Sequence, residues 1–185
     1  RLITGKKPMV VGPGLKTGLN IAVGDPSELG ADLVVAAVAA QAKYPKPMVI
    51  LDLGTATTFS VIGGKGEFLG VIIYPGVMVS FDALTARTAQ LPRISFDEPR
   101  CVIGTTSVDS MQSGLIYGNA AMLDGMIERI EEELGEKVTV TLKPDAGYAI
   151  SRIEVVDANG SYMDTTYTGN GVYTFTVPEG GATVT

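Results

Sequence analysis

Pro47-Met48-Val49-Ile50-Leu51-Asp52-Leu53-Gly54-Thr55-Ala56-Thr57-Thr58 is the stretch from which the rest of the chain can be read. Its first half is a short apolar run bounded by Pro47 and Gly54, the pattern of a strand covered on both faces. Its second half sets a carboxylate, a glycine and the hydroxyls of Thr55, Thr57 and Thr58 at the end of that strand. Glycine lets an anion approach the backbone, and hydroxyls with amide N–H groups supply donors, so the composition suits phosphate and cation handling. Upstream, Leu29-Gly30-Ala31-Asp32 makes a second glycine–carboxylate turn at the head of another apolar stretch.

The neighbouring segments alternate between helical and extended patterns, which predicts an α/β fold. Residues from about Glu28 to Ala42 read as a helix, apolar nearly all round and so expected to be buried. Thr57 to Ile62 and Glu67 to Tyr74 flank Gly63-Gly64-Lys65-Gly66, a hairpin signal. Pro75-Gly76 breaks the sheet, and Val77 to Ala89 reads as helical. The longest helix is expected over Ser107 to Leu134, where Met122, Leu123, Met126, Ile127, Ile130 and Leu134 form an apolar stripe and Gly135 supplies the stop. Glu128, Arg129, Glu131, Glu132 and Glu133 read as its solvated face. Ser107 is a candidate cap for this helix, with Asp109 and Ser110 competing. At the other end, Lys6 to Val11 reads as a strand and Gly12 to Gly18 as a loop.

After Lys137 the pattern changes. Val138-Thr139-Val140-Thr141-Leu142 and Tyr173-Thr174-Phe175-Thr176-Val177 alternate with period two, and Pro144-Asp145, Asp157-Ala158-Asn159-Gly160 and Gly169-Asn170-Gly171 are turn formers. Two units are therefore expected, residues 1–137 as α/β and 138–185 as a small all-β, sandwich-like module. Asp157, Asn159 and Asp164 lack the spacing of a calcium loop and read as turn residues.

Composition removes several chemistries. The chain has no histidine, which excludes His general bases, Ser–His triads and ordinary zinc sites and leaves proton transfer to carboxylates. A formal net charge of −6 argues against a nucleic-acid groove. No apolar run reaches the about 18 residues of a membrane span, and Arg1-Leu2-Ile3-Thr4 opens no signal peptide. Cys101 stands alone, so no internal disulfide forms, in keeping with a reducing compartment.

Five motifs in order carry a family resemblance: Gly12-Pro13-Gly14-Leu15-Lys16-Thr17-Gly18; Leu29-Gly30-Ala31-Asp32; Asp52-Leu53-Gly54-Thr55-Ala56-Thr57-Thr58; Pro75-Gly76-Val77 with Ala83-Leu84; and Val102-Ile103-Gly104-Thr105-Thr106-Ser107 running on to Gly114. On these, residues 5 to about 137 resemble the second half of a type III pantothenate kinase. The resemblance implies half of an actin/Hsp70/sugar-kinase-like (ribonuclease H-like) domain and ATP-dependent phosphorylation of pantothenate towards coenzyme A. It implies Asp32 as general base, Gly30, Ala31, Leu33 and Ser107 in contact with pantothenate, and Thr55 in contact with ATP. It places a monovalent cation, potassium or ammonium, on Asp52 and brings magnesium with ATP. It also implies a cytoplasmic homodimer with the long helix at its interface.

The residues alone leave other roles open. Asp32 in a first helical turn complements the helix dipole, Asp52 suits an Asx-turn, and Thr55 suits a satisfied turn hydroxyl. The chain also departs from the family pattern. Leu33 stands where the family has arginine, Val23 where an aromatic is common, and no Asp-x-Gly-Asn-Thr loop occurs. Thr141-Leu142-Lys143-Pro144 replaces the glycine-rich adenosine segment, so the isolated chain is expected to lack turnover. Val138-Thr139-Val140 falls where the kinase fold takes its next core strand, so pairing with Met48 to Leu53 moves the unit boundary past Pro144. From Val138 onward the chain resembles β-rich repeats of bacterial cell-surface proteins, which supports an alternative reading as a non-catalytic structural or interaction chain.

Overall fold

The computed structural model describes residues 5, 15–143, 155–157, 161, 166–169, 172–176 and 182–184. In chain order the elements are β1 (Asn20–Ile21), a 3-10 turn (Pro26–Glu28), α1 (Ala31–Gln41), β2 (Met48–Leu53), β3 (Ala56–Ile62), β4 (Glu67–Pro75), α2 (Val77–Arg87) and α3 (Ser107–Leu134). They are followed by β5 (Thr139–Lys143), β6 (Val155–Asp157), β7 (Thr166–Gly169), β8 (Val172–Thr176) and β9 (Ala182–Val184). The centre is a four-stranded mixed sheet, β4-β3-β2-β5, within a seven-stranded order β1-β4-β3-β2-β5-β8-β7. β2, β3 and β4 form an antiparallel meander, while β5 lies parallel to β2.

Strand alternation sends the side chains of this sheet to two covered faces. Met48 and Ile50 of β2, with Ile62, Phe68 and Val71, meet Ala37 and Ala40 of α1. Val49 and Leu51, with Phe59 and Val61, meet Ile127 and Ile130 of α3 and Val138. Burial from both sides is why β2 reads as a continuous apolar run rather than an alternating one. A third cluster joins Phe81 of α2 to Met111 and Leu115 of α3.

The direction of α1 positions the site. At its C-terminal end, the Gln41 side-chain amide donates to the Gly66 carbonyl at 2.6 Å, in the hairpin loop beside the Met48–Ile62 pair. Its N-terminus therefore points to the opposite end of the sheet, where β2 runs out at Leu53. Ligands of open α/β sheets gather at that carboxyl end.

Several expectations need correcting. α1 begins at Ala31 rather than near Glu28, because Pro26–Glu28 forms a separate 3-10 turn whose Asp25 cap accepts from the Ser27 amide at 2.9 Å. α1 is not buried all round: Ala37 and Ala40 are enclosed, Val35 is 49% exposed, and Asp32 is open to solvent. A helix laid on one sheet face buries one stripe whatever its opposite side carries. α2 stops at Arg87, short of Ala89, where Thr88 turns extended. Glu131 is not on a solvated face but is 6% exposed, accepting from the Val138 amide at 3.0 Å and pairing with Lys137 at 2.8 Å.

β5 pairs with β2 from Met48–Thr139 to Asp52–Lys143 and, on its other edge, with β8 from Thr139–Thr176 to Leu142–Tyr173. One sheet thus continues across Lys137. β6 and β9 form a separate antiparallel pair. Asp157 ends β6, whereas Asn159, Asp164, Pro144-Asp145, the strand expected at Lys6 to Val11 and the loop up to Gly14 lie outside the described residues.

Candidate active site

The Asp52-to-Thr58 segment turns the chain from β2 into β3. Asp52 lies directly opposite Thr58 in the antiparallel register, so both side chains share one face. Alternation from Met48 and Ile50 makes that the α1 face. Asp52 is exposed, and the Thr58 hydroxyl is buried with no hydrogen-bond partner among the described residues. Thr57 points to the α3 face, fully buried, and its hydroxyl likewise lacks a partner among the described residues. The turn is closed by the Gly54 amide donating to the Ala56 carbonyl at 3.1 Å. Thr55, at the tip, is exposed. Its carbonyl accepts from the Gly76 amide at 3.0 Å. Gly76 is enclosed so tightly that a Cβ there would overlap the Gly54 carbonyl oxygen and lie 2.8 Å from the Thr55 carbonyl carbon. Only glycine permits this approach of the head of α2 to the turn.

Gly30 is the N-cap of α1 and has no side chain to cap with; its carbonyl accepts from Val34 at 3.2 Å. Ala31 and Asp32 are exposed in the first turn, with the Asp32 carboxylate folded over Gly30 where a Cβ would stand. Leu33 is half-buried against the α1–sheet core. Asp32 and Asp52 therefore come to the same end of the sheet on the same face, although twenty positions separate them in sequence.

Ser107 lies elsewhere. It borders a pocket of about 750 Å³ between α2 and α3, on the opposite face. Tyr74, Phe81 and Leu115 give this pocket apolar wall, and Thr105, Ser107 and Ser110 give it hydroxyls. Ser107 does not cap α3, nor do Asp109 or Ser110. Thr106 does, accepting from the Asp109 amide at 3.1 Å and donating to the Asp109 carboxylate at 2.7 Å. That leaves the Ser107 hydroxyl free of the capping role. The segment leading to this rim is held by α3: Gln112 donates to the Ser95 carbonyl at 3.3 Å, Ser113 to Val102 at 2.5 Å and Tyr117 to Pro99 at 3.4 Å.

Sequence reasoning gave Tyr74 no role beyond the end of a strand, and gave Thr106 and Gly76 none beyond their places in the resemblance motifs and, for Gly76, a break in the sheet. The adjacent Pro75-Gly76 and Thr105-Thr106-Ser107 strings were the available signals, but neither says which atoms come close. Among the described residues, no group of three or more Cys, Asp or Glu side chains gathers to hold a metal.

A sequence profile of the family described as type III pantothenate kinase matches residues 2–129. A type III pantothenate kinase of Exiguobacterium sp. strain AT1b is 45% identical over 157 residues, 85% of this chain and 62% of its own length. That of Koribacter versatilis is 46% identical over 155 residues, covering 82% of this chain and 57% of its own. That of Syntrophus aciditrophicus is 45% identical over 134 residues, covering 72% and 53%. The chain thus spans little more than half the length of these curated relatives. A match over 85% of 185 residues runs past Lys137 wherever it begins.

Proposed function

The chain belongs to the type III pantothenate kinase family, and on that premise we propose that it carries the proton-accepting and cation-binding half of an ATP-dependent phosphorylation of pantothenate. The observation that supports this most is the convergence of the Gly30–Asp32 and Asp52–Thr58 turns at one end and on one face of the sheet. In this reading Asp32 accepts the proton of the pantothenate hydroxyl as its oxygen bonds to the transferred phosphorus and the bond to the departing ADP oxygen breaks. Such a base need not be strong, because in phosphoryl transfer the proton leaves late and most of the barrier is met by position and charge neutralisation.

Asp52 and the unpartnered Thr58 hydroxyl beside it fit a monovalent cation, potassium or ammonium, since both offer oxygen and neither has another described partner for that role. Thr55 at the exposed tip contacts ATP, which brings magnesium and phosphate charge to this end. Gly30, Ala31 and Leu33 shape the acceptor side, with Leu33 supplying apolar contact and no charge. Ser107, in its own pocket on the opposite face of the sheet, is not brought to the Asp32 end within this chain. The fold is read as half of an actin/Hsp70/sugar-kinase-like domain that takes β5 as its next core strand, so its boundary is read past Pro144 rather than at Lys137. A cytoplasmic homodimer belongs to the same proposal.

Pantothenate added to the isotope-labelled chain is expected to shift the backbone amide signals of Gly30 to Leu33, and Asp32→Asn should retain those shifts. Amides of Gly30 to Leu33 that ignore saturating pantothenate would overturn the reading.

A further inference from the structure

We propose that α2 is a rigid link that makes the Gly54–Thr55 turn and the α2–α3 pocket move as one body, with Gly76 as the positioning residue that seats it. Three observations carry this. First, the head of α2 rests on the turn without clearance: the Gly76 amide donates to Thr55 at 3.0 Å, and a Cβ at position 76 has nowhere to go but into the Gly54 and Thr55 carbonyls. Both obstacles are backbone, so neither can rotate aside as a flexible side chain would. Second, α2 is short, 11 residues, and its own first bond, Ser80 amide to Gly76 carbonyl at 2.9 Å, starts at the seat itself. Third, the pocket wall begins one turn further on. Ser80, Phe81 and Leu84 line it, and Phe81 is 6% exposed, wedged among Met111, Leu115 and the edge of Phe96 at a ring separation of 5.7 Å.

A close-packed interior passes a displacement on rather than absorbing it. Lifting α2 off the turn by the radius of a methyl group therefore moves Phe81 against Met111 and alters the pocket. The converse also holds: reshaping the wall at Phe81 pulls on Gly76 and the turn. Tyr74, on the same wall, closes the loop from the sheet side, because it pairs with Thr57 while Pro75 pairs with Ala56, directly behind the turn. The functional meaning of this link, that the ATP-side turn and the pocket bordered by Ser107 are set together, rests on the reading given above. The link itself does not.

The test is a comparison of backbone amide chemical shifts in three variants of the 185-residue chain. Gly76→Ala is expected to move Gly54 to Ala56 and also Ser110, Met111 and Leu115 across the pocket, while Val49 and Phe59 in the sheet core stay in place. Phe81→Leu, a milder change at the far end of the link, should move Gly54 and Thr55. Gly70→Ala, where a Cβ meets nothing within 4 Å, should move neither. Shifts from Gly76→Ala confined to residues near 54–56 and 74–80, or turn amides unmoved in Phe81→Leu, would overturn the link. Should Gly76→Ala fail to fold, Phe81→Leu decides alone. Shifts that cross in both directions, in a chain whose Gly30 to Leu33 amides ignore pantothenate, would uphold the link and retire the substrate reading.

Discussion

The two faces of the central sheet are covered by opposite strategies. On one, an 11-residue helix comes close by presenting Ala37 and Ala40 to Met48, Ile62 and Phe68. On the other, a 28-residue helix stands off and fills the gap with Ile127, Ile130, Met122 and Met126 against Phe59 and Val61. The close face leaves its open end to carboxylates and glycines, with Asp32 and Asp52 both exposed. The stand-off face leaves a pocket beside α2. Small residues bring backbone to backbone and make a site of main-chain groups. Large ones make a cavity with walls.

That contrast can be broken most forcefully at Phe59, fully buried on the stand-off face. Phe59→Ala is expected to cost about 3–5 kcal/mol of unfolding free energy. A urea titration showing under about 1 kcal/mol would mean that α3 collapses onto the sheet and the spacing is not fixed. Glu131→Ala tests how the stand-off helix is anchored. It strips the buried acceptor from the Val138 amide and Lys137, and a loss of about 2 kcal/mol is expected by the same titration. On the close face the sensitive change is in the other direction. Ala37→Leu should destabilise by about 1–3 kcal/mol through overpacking. If it stabilises instead, α1 is not in close contact.

The two hydroxyls at the head of α3 sharpen the distinction between holding the fold and facing the pocket. Thr106→Ala should lose about 1 kcal/mol, while Ser107→Ala stays within about 0.5 kcal/mol. Equal losses in thermal melts would put the cap back on Ser107. The smallest effect concerns half-buried Asp124, whose carboxyl is raised from 3.8 to about 6, chiefly by burial and further by the Glu128 charge. Between those values the folded chain binds the proton more readily than the unfolded one. Stability therefore falls as pH rises through that window and levels off above it. Asp124→Asn should flatten that slope in melts across the window; an unchanged slope would assign it to other groups.

Much of this architecture is legible in the sequence because the long helix and the hairpin are set by local rules. The stripe from Met122 to Leu134 and the left-handed Gly135 at φ 72° fix the end of α3 from nearby residues alone. The site is legible only in pieces. That Asp32 and Asp52 share a face depends on α1 crossing β2 antiparallel, and that Ser107 sits on the opposite face depends on α3 packing across the sheet. Neither relation has a local signature. The burial of Glu131 is hidden from the sequence for the same reason. Its place in an acidic run predicts solvent, and only the return of the chain at Val138 encloses it.

That return has a consequence for insertions and deletions. A parallel strand has no tight hairpin to fix where it starts, so β5 depends on the chain that delivers it to β2. The Glu131 carboxylate grips the Val138 amide, and the Thr139 amide donates to the Pro47 carbonyl at 3.1 Å, so the span from Gly135 to Val138 works as a gauge of fixed length. One residue added there would turn every following side chain of β5 to the wrong side of the sheet. Relatives of this chain should thus vary freely in the length of their surface loops and hardly at all in these four residues.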